Sequence, residues 1–498
     1  MNNFEESPIF KLINQLSEKK DLPINFEDLK KELLKKDENN NPVYYLQIKE
    51  NDDLAVLYND ITNENPNKDC FEYEVEQYCK SLILEKSTLK PIGTQYNKII
   101  YNLEAVDYIN DKKWDNIVIQ KCFEGTMLLV FYNGNEWIVS TRRCLNSKDS
   151  TWVRNKSYWD MFEEARNNKF NFDDLNKNYC YHFILVHHKN RNIVNYNYLG
   201  RNYKELYHTL TTEKYTLNEI QNEHINVNTV EKIKFENLDD LYTSIENINN
   251  NDLHTHKIST EGYVLRVYDG ELYNSPFKIL KIQTPIYQKI MKIKPNNSNI
   301  HQSYIELYQK DKLSEFLPFF TKYNNDIIKR IHISVRNLAK EVLDLYHSTR
   351  QKKNTQIYTN LPDQYRKILY GLHGLYIQHR KQDFNKNTNV DTNVDTNVDT
   401  NVDINVDTNV DINVDTNIES DEDDTILEKN LARSINVHDV YHYLKNLPPL
   451  ELRQLFFERI ILMNDPNMTF LNRMCINTKT QSTLMFGNNI KTNKKEDN

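Results

Sequence analysis

The stretch "TMLLVFYNGNEWIVSTRR", Thr126 to Arg143, decides the fold. Two runs rich in Val, Ile, Phe and Tyr flank Asn133-Gly134-Asn135, and an Asn-Gly pair between such runs is typical of a tight β-hairpin turn. We therefore predict two antiparallel strands here, joined at this tripeptide.

The same pattern of strand-like runs separated by turn signals continues on both sides of this hairpin. "EGYVLRVYDGELYN", Glu261 to Asn274, again places strand-like runs around a turn signal, Asp269-Gly270. Short apolar runs alternate with polar residues and turns from about Phe71 to Ile293. This pattern predicts an α+β domain built on an antiparallel sheet over residues 71–293.

The flanking regions have a different pattern. Residues 1–70 combine a short helical pattern with polar stretches, and we predict a helical and polar N-terminal extension. Apolar residues recur three and four apart over 294–384 and again over 425–465, which predicts one all-α C-terminal domain in two parts. Between them, residues 385–424 carry an Asn-Val-Asp repeat too polar to bury a core, so we predict a disordered insertion. Residues 466–498 are predicted to form a flexible tail.

Composition limits the classes of protein. The 498 residues carry 63 Lys and Arg against 71 Asp and Glu, and 12 of these acidic residues lie in the repeat region. The remainder is close to neutral or mildly basic, so bulk charge neither demands nor excludes a nucleic-acid partner. No apolar run is long enough for a membrane span, and six scattered cysteines favour reduced thiols. We expect an intracellular, cytoplasmic protein. The richness in Asn, Lys, Ile and Tyr suggests an AT-rich genome such as that of a large DNA virus, which would add a viral factory or virion as locations.

Four segments of the 71–293 region carry a resemblance to a known family. In order they are "CKSLILEKSTLKPIGTQYNKIIYNLE" (Cys79–Glu104), "IQKCFEGTMLLVFYNGNEWIVSTRR" (Ile119–Arg143), "YHFILVHHKNRNIVNY" (Tyr181–Tyr196) and the region from "TEGYVLRVYDG" to "PFKILKIQTPIY" (Thr260–Tyr287). Together they resemble the phage-type ATP-dependent RNA ligases of the covalent nucleotidyltransferase superfamily. The resemblance implies an RNA ligase-like domain, ATP and Mg²⁺ as cofactors, and RNA 5′-phosphate ends as partners.

The resemblance also implies roles for individual residues. Family members form a lysyl-AMP with a strand lysine, while later carboxylates and lysines hold ribose, metal and phosphates. The positions that match these motifs as ligand-binding residues are Lys80, Lys98, Glu124, Gly125, Arg142 and Gln283. Glu261 matches the carboxylate that serves catalysis and metal, and Lys281 matches the first lysine of the final motif.

Several matched positions depart from the family pattern. Counting back from Gly125, the nucleophile position is Cys122, and Lys121 lies one residue too early. A slip of one residue moves a strand side chain to the opposite face, so Lys121 could attack only if a β-bulge follows it. An expected acidic position is Ile184, and the second lysine of the final motif is Gln283.

Three functions remain open from the sequence. The first is an RNA ligase-like enzyme that transfers a nucleotide to RNA 5′-phosphate ends and seals strands, using Lys121 as nucleophile with Glu261 and Lys281 assisting. The second is a non-catalytic RNA-binding or assembly module that kept the fold and lost the nucleophile. The third is an mRNA-capping-type guanylyltransferase that uses GTP. For each of these residues, the alternative to a functional role is an ordinary structural position in a strand or a turn.

Overall fold

The computed structural model describes residues 4–59, 65–95, 99–153, 155–221, 224–273, 275–297, 299–321, 324–350, 355–388 and 435–464. The chain divides into two compact units, Met1–Lys294 and Pro295–Asn498. The division lies one residue from the predicted boundary after residue 293. The predicted repeat insertion, apart from residues 385–388, and the predicted tail lie outside the described residues.

The first unit mixes helices and strands along its whole length. In chain order they are α1 (Pro8–Lys20), α2 (Phe26–Leu33), β1 (Leu46–Glu50), β2 (Leu54–Asn59), α3 (Phe71–Tyr78), β3 (Leu82–Glu85), β4 (Pro91–Thr94), β5 (Ile99–Tyr101), α4 (Asn102–Ile109), β6 (Ile117–Cys122), β7 (Thr126–Asn133), β8 (Glu136–Thr141), β9 (Thr151–Val153), β10 (Lys156–Ser157), α5 (Tyr158–Arg166), β11 (Tyr179–His187), β12 (Lys204–Glu213), β13 (Asn228–Thr229), β14 (Lys232–Ile233), α6 (Leu238–Thr255), β15 (Gly262–Tyr268), β16 (Phe277–Gln283) and α7 (Pro285–Ile293).

Most of these strands form three sheets. The N-terminal sheet has the order β1-β2-β3-β4, the β11 sheet has the order β13-β12-β11-β7-β8, and the β6 sheet has the order β14-β6-β15-β16-β5. The predicted α+β class is confirmed, and β7 and β8 form the predicted hairpin. The pairing is antiparallel except at two sheet edges, where β13 and β5 pair in parallel with β12 and β16.

The second predicted hairpin has a longer connection than Asp269-Gly270 suggested. β15 pairs with β16, and the loop closes where the Asp269 amide donates to the Pro276 carbonyl at 2.9 Å. At the end of β16 the Thr284 hydroxyl accepts from the Tyr287 amide, and proline fills the first helical position. These two features begin α7 directly after the strand.

Helices cover one face of each of the two larger sheets. α4 and α6 pack on the β6 sheet around Leu241, Leu265 and Leu280. α5 packs on the β11 sheet around Phe162 and Phe183. Because these faces are occupied by helices, polar residues on the opposite faces are left to line a space between the two sheets.

The first seventy residues contribute to the core of the first unit. α1 and α2 pack around Leu29 and Leu33 together with Leu57 and Leu84 of the N-terminal sheet. Val56 and Ile83, on the other side of that sheet, join a cluster with Leu129 and Phe131 of β7. The described part of the region predicted as a polar extension therefore supplies two strands and a helical layer.

The second unit is helical. Its helices are α8 (Ile300–Gln309), α9 (Leu313–Phe316), α10 (Asn324–Thr349), α11 (Thr355–Asn360), α12 (Asp363–Thr388), α13 (Val437–Lys445) and α14 (Pro449–Asn464). α13 packs on α10, and α14 packs on α12 and α8, so helices from before and after the repeat share one unit. Among the described helices of the chain, none has the length and apolar character that crossing a membrane requires.

Candidate functional site

A cavity of about 590 Å³ lies inside the first unit. Side chains of the β6 sheet, such as Val264, line one side, and side chains of the β11 sheet, such as His182 and Ile184, line the other. Its volume falls within the range of cavities that bind small molecules and cofactors.

Strand register determines which side chains reach this cavity. Cys122, Gly262 and Gln283 are paired across three neighbouring strands, and so are Gln120, Val264 and Lys281 one row further. Because residues two apart share a face, both rows face the cavity. The row between them, which contains Lys121 and Tyr263, faces the α4 and α6 layer instead.

Cys122 occupies the position where the resemblance expects a lysine. Its side chain is buried, and its thiol donates to Glu261 Oε2 at 3.1 Å. Burial raises the pKa of this thiol far above its ordinary range. The group at the predicted nucleophile position is therefore a neutral thiol that is engaged with a carboxylate.

Lys121 borders the cavity as a residue of β6, but strand alternation turns it toward α6. Burial raises the pKa of the carboxyl of Asp252, a buried residue of α6, and the positive charge of Lys121 acts against this increase. The register of β6 with β15 runs without a shift through Lys121 and Cys122. No bulge therefore lies between Lys121 and Cys122 in this paired segment.

Glu261, Lys281 and Gln283 form one polar cluster beside Cys122. The Lys281 ammonium donates to both Glu261 oxygens, at 3.1 and 3.2 Å, and the Gln283 amide donates to Oε1 at 2.9 Å. Burial pushes the pKa of Glu261 upward, but the Lys281 charge and the hydrogen bonds outweigh it, so the pKa lies below its ordinary value. The structure thus brings together three of the predicted site residues.

Glu124 anchors a loop. Its oxygens accept from the amides of Ile193 and Val194, both at 2.7 Å, and from the side chains of Asn192 and Tyr287. Burial is the largest influence on its pKa and raises it, although the two amides act in the other direction. In this arrangement both oxygens hold the 192–194 segment in place.

Glycine follows both Glu124 and Glu261 because the backbone at these two positions passes close to another strand. A Cβ at Gly125 would overlap the Leu185 carbonyl oxygen, and a Cβ at Gly262 would overlap that of Ile282. Gly262 also has a φ of +142°, a conformation that favours glycine. Both pairs therefore mark places where backbones approach closely beside the cavity.

Arg142 lines the cavity, and Lys80 is linked to it through the main chain. The Arg142 guanidinium donates to Asn59 Oδ1 at 2.6 Å and to the Lys80 carbonyl at 3.3 Å. The predicted ligand-binding residue Lys98 lies outside the described residues.

One charged residue of the cavity, Arg266, was not predicted from the sequence. Arg266, on β15, lines it and donates to Glu219 Oε1 at 2.9 Å, and both side chains are less than a tenth exposed. Its spacing could have indicated this location, because Arg266 lies four residues after Gly262 and therefore on the same face of β15.

The residues fit a Mg²⁺ ion poorly. Within the described part of the chain, no group of three or more His, Cys, Asp or Glu side chains is placed to hold a metal. Glu261, the predicted metal ligand, already interacts with Lys281, Gln283 and Cys122. A dedicated magnesium site is therefore not formed by these side chains.

Fold and site together define an α+β protein with a cofactor-sized cavity between two sheets. The solved structures to which it is similar include the following three, each at low identity. A protein described as an ATP-dependent DNA ligase from Aquifex aeolicus shares 13% identity, with 58% of this chain and 73% of that chain covered at a TM-score of 0.34. An archaeal ATP-dependent RNA ligase shares 10% in one form (58% and 76% covered, TM-score 0.34) and 12% in a second form (48% and 58% covered, TM-score 0.29).

No family model matches the sequence, and no curated protein matches it.

Proposed function

We propose that this chain is an RNA ligase-like protein that binds a nucleoside triphosphate and RNA ends without forming a covalent nucleotide intermediate. The observation that carries this proposal is the position of Cys122. Its thiol, not a lysine amine, faces the cavity at the nucleophile position and is hydrogen-bonded to Glu261. The sequence resemblance supplies the ligand class, ATP in the first place, and RNA as the partner.

The chemistry of adenylylation explains why a cysteine in place of a lysine at the nucleophile position matters. A lysine attacks the innermost phosphate of ATP as a free amine, breaks the bond to the next phosphate with release of pyrophosphate, and holds AMP as a phosphoramidate. The thiol of Cys122 is shorter, and burial raises its pKa, so the nucleophilic thiolate is not populated at neutral pH. The neighbouring amine of Lys121 belongs to the other face of the strand, where it acts on Asp252.

The remaining charges are still suited to binding. Lys281 and Arg142 line the same cavity, and cationic donors next to a ligand-sized space favour phosphate groups. Lys281 can exchange part of its interaction with Glu261 for a phosphate oxygen without leaving the site. Because the described residues form no dedicated metal site, Mg²⁺ enters this proposal only as the ion that accompanies a nucleoside triphosphate in solution.

The direct test combines a covalent assay with an equilibrium assay. The purified full chain is incubated with α-labelled ATP or GTP and magnesium, denatured and examined for acid-labile label, and nucleotide affinity is measured separately by calorimetry. We expect measurable affinity without label. Label that disappears in Lys121→Ala would overturn the non-covalent proposal in favour of an active ligase or capping-type enzyme. An absence of nucleotide binding would overturn the assignment of the cavity.

A further inference from the structure

The exposed side of the long helix α10 is strongly basic. Between residues 329 and 350, along α10 and one residue beyond its end, eight side chains are exposed, and five of them are lysine or arginine against one aspartate. They are Lys329, Arg330, His332, Arg336, Lys340, Asp344, His347 and Arg350. Because the whole chain carries more acidic than basic residues, this positive excess is a local property of the helix.

Helical spacing aligns three of these charges in one row. Lys329, Arg336 and Lys340 are separated by seven and then four residues, so their side chains lie on the same side of α10. At the rise of an α-helix the row is about 16 Å long. The opposite side of the helix, which includes Val335 and Leu338, is buried in the helical unit. We call the row of three charges the basic face of α10.

The basic face is not neutralised by acidic residues of the fold. None of its three side chains forms an ion pair with a residue that the structure describes, and Asp344, one turn beyond Lys340, forms none either. Other acidic side chains of the helical unit are engaged by other bases: Glu341 pairs with Arg459, Asp311 with Lys445 and Glu451 with Lys367. Like charges in a row repel one another, so an anionic partner along this face would be favoured.

The composition of this surface indicates which kind of polyanion fits it. Proteins that bind single strands combine positive charges with aromatic side chains on which the bases stack. Among the exposed residues from 329 to 350 there is no Phe, Tyr or Trp. A double-stranded stem instead presents regularly spaced phosphates on a rigid surface, and lysine and arginine bind these without contacts to bases.

We infer that the basic face of α10 binds the phosphate backbone of a double-stranded RNA stem, independently of its sequence. This inference deepens the proposed function and rests on it for the choice of RNA as the partner. It adds a second contact surface, because α10 belongs to the helical unit, whereas the nucleotide cavity lies inside the first unit.

The test uses an RNA that has a stem but no ends. A circular RNA dumbbell, labelled with a fluorophore in one loop, is titrated with the purified full chain at several salt concentrations, and binding is followed by fluorescence anisotropy. Because the dumbbell has no 5′-phosphate end, RNA ends bound at the cavity cannot contribute. We expect a Kd of about 1–100 μM at physiological salt, the range for binding through phosphates alone, and weaker binding of an unstructured single strand.

A triple variant assigns the binding to the basic face. Lys329→Gln/Arg336→Gln/Lys340→Gln should weaken dumbbell binding by about 10-fold or more at low salt. The slope of log K against log salt concentration should become shallower by about 3, which is about one for each lost phosphate contact. Lys329→Arg/Arg336→Lys/Lys340→Arg keeps the charges and should bind like the wild type.

A matched control removes the same amount of charge elsewhere in the helical unit. Lys310, Arg380 and Lys381 are exposed and lie outside α10. Lys310→Gln/Arg380→Gln/Lys381→Gln should keep the wild-type affinity and salt slope. Because all six positions are exposed, thermal unfolding of both triple variants should match that of the wild type.

The outcomes separate this inference from the proposed function, since ATP affinity is measured by calorimetry on the same samples. ATP binding without dumbbell binding overturns the stem inference and leaves the proposed function in place. Equal losses in the two triple variants overturn the assignment to α10. Binding to phosphatidylserine vesicles but not to the dumbbell overturns RNA as the partner of this face. Dumbbell binding that depends on the basic face, without any nucleotide affinity, supports the inference and overturns the assignment of the cavity.

Discussion

Lys121 and Cys122 are neighbours in β6, yet they belong to opposite faces of its sheet. Cys122 meets Glu261 in the cavity, while Lys121 acts on Asp252 under the helical layer. The uninterrupted register with β15 prevents the two side chains from exchanging places without a shift of the whole strand. Lys121 is therefore on the face of the sheet opposite to the nucleophile position, which Cys122 occupies.

The first prediction compares the two lysines near the site. Lys281→Met should weaken nucleotide binding by about 10-fold to about 150-fold, because a hydrogen bond to a charged group contributes about 1.5–3 kcal/mol. Lys121→Ala should change the nucleotide affinity by less than about 2-fold, since the Lys121 ammonium lies on the face of the sheet that α6 covers. Calorimetry on both variants measures the difference. The double variant Lys281→Met/Glu261→Gln controls for the carboxylate that Lys281→Met leaves unpaired, and equal losses for the two lysines would contradict the assigned faces.

A second prediction concerns Gly262, whose φ of +142° and close approach to Ile282 leave no room for a side chain. Gly262→Ala should lower the free energy of unfolding by more than about 2 kcal/mol, because it combines backbone strain with overlap against a strand carbonyl. Denaturant unfolding measures the loss. Gly134→Asn is the control in the same unit: Gly134 also has positive φ, but a Cβ there meets nothing, and asparagine tolerates this conformation. A small effect at Gly262 would show that β15 and β16 can separate there.

The third prediction tests Glu124 as a loop anchor. Glu124→Ala removes the acceptor for the amides of Ile193 and Val194. Each charge-assisted bond contributes more than an ordinary one, so exchange of these two amide protons should accelerate by about 10-fold or more. Hydrogen exchange read out by mass spectrometry locates the change. Glu231→Ala, at an exposed position, should leave the 192–194 segment unaltered.

A fourth prediction concerns the helical unit, where Arg459 of α14 donates to Glu341 of α10 at 2.8 Å and both are almost fully buried. Arg459→Met should destabilise this unit by about 3–5 kcal/mol, because Glu341 keeps its buried charge without this partner. In Arg459→Met/Glu341→Gln part of that loss should be recovered. Thermal unfolding of the wild type, the single variant and the double variant measures these losses of stability. If Arg459→Met is as stable as the wild type, the packing of helices from both sides of the repeat is contradicted.

Local patterns predicted the parts of the fold that depend on neighbouring residues. The turn at Asn133-Gly134 and the alternation around it predict β7 and β8, since hairpin geometry is specified within a few residues. The parallel pairing of β5 with β16 was missed because its partner strands are more than 170 residues apart in the chain. Glu261 and Lys281 were singled out by motif and were found in one ion pair.

The rest of the site depends on contacts that no local pattern encodes. Glu219 comes from an irregular segment 47 residues before Arg266, so nothing in the sequence joins them. The two oxygens of Glu124 are engaged by a loop about seventy residues later, which the Glu-Gly pair alone does not reveal. Alternation already indicated that Lys121 faces away from Cys122, but only the register excludes a shift between them.

The fifth prediction is a loss of stability in mild acid. Burial lowers the pKa of His182 to about 3 and those of His187 and His208 to about 4, although a hydrogen bond to Glu164 acts in the opposite direction on His187. Because these folded-state values lie below the value of about 6.5 in an unfolded chain, the unfolded state binds protons first as the pH falls. Their stabilising contribution is therefore complete above pH 6.5 and is lost between about pH 6.5 and the folded-state values.

His182→Gln isolates this effect, since glutamine can still bond to the Thr212 hydroxyl that His182 contacts at 3.1 Å. One such histidine contributes a slope of about 1.4 kcal/mol per pH unit, so the loss between pH 6.5 and pH 4 should be smaller in the variant by about 3 kcal/mol. Denaturant unfolding at closely spaced pH values measures both slopes. His254→Gln, at an exposed position of α6, should keep the wild-type slope. If His182→Gln and wild type lose stability in parallel, burial does not lower the pKa of His182 in the folded protein.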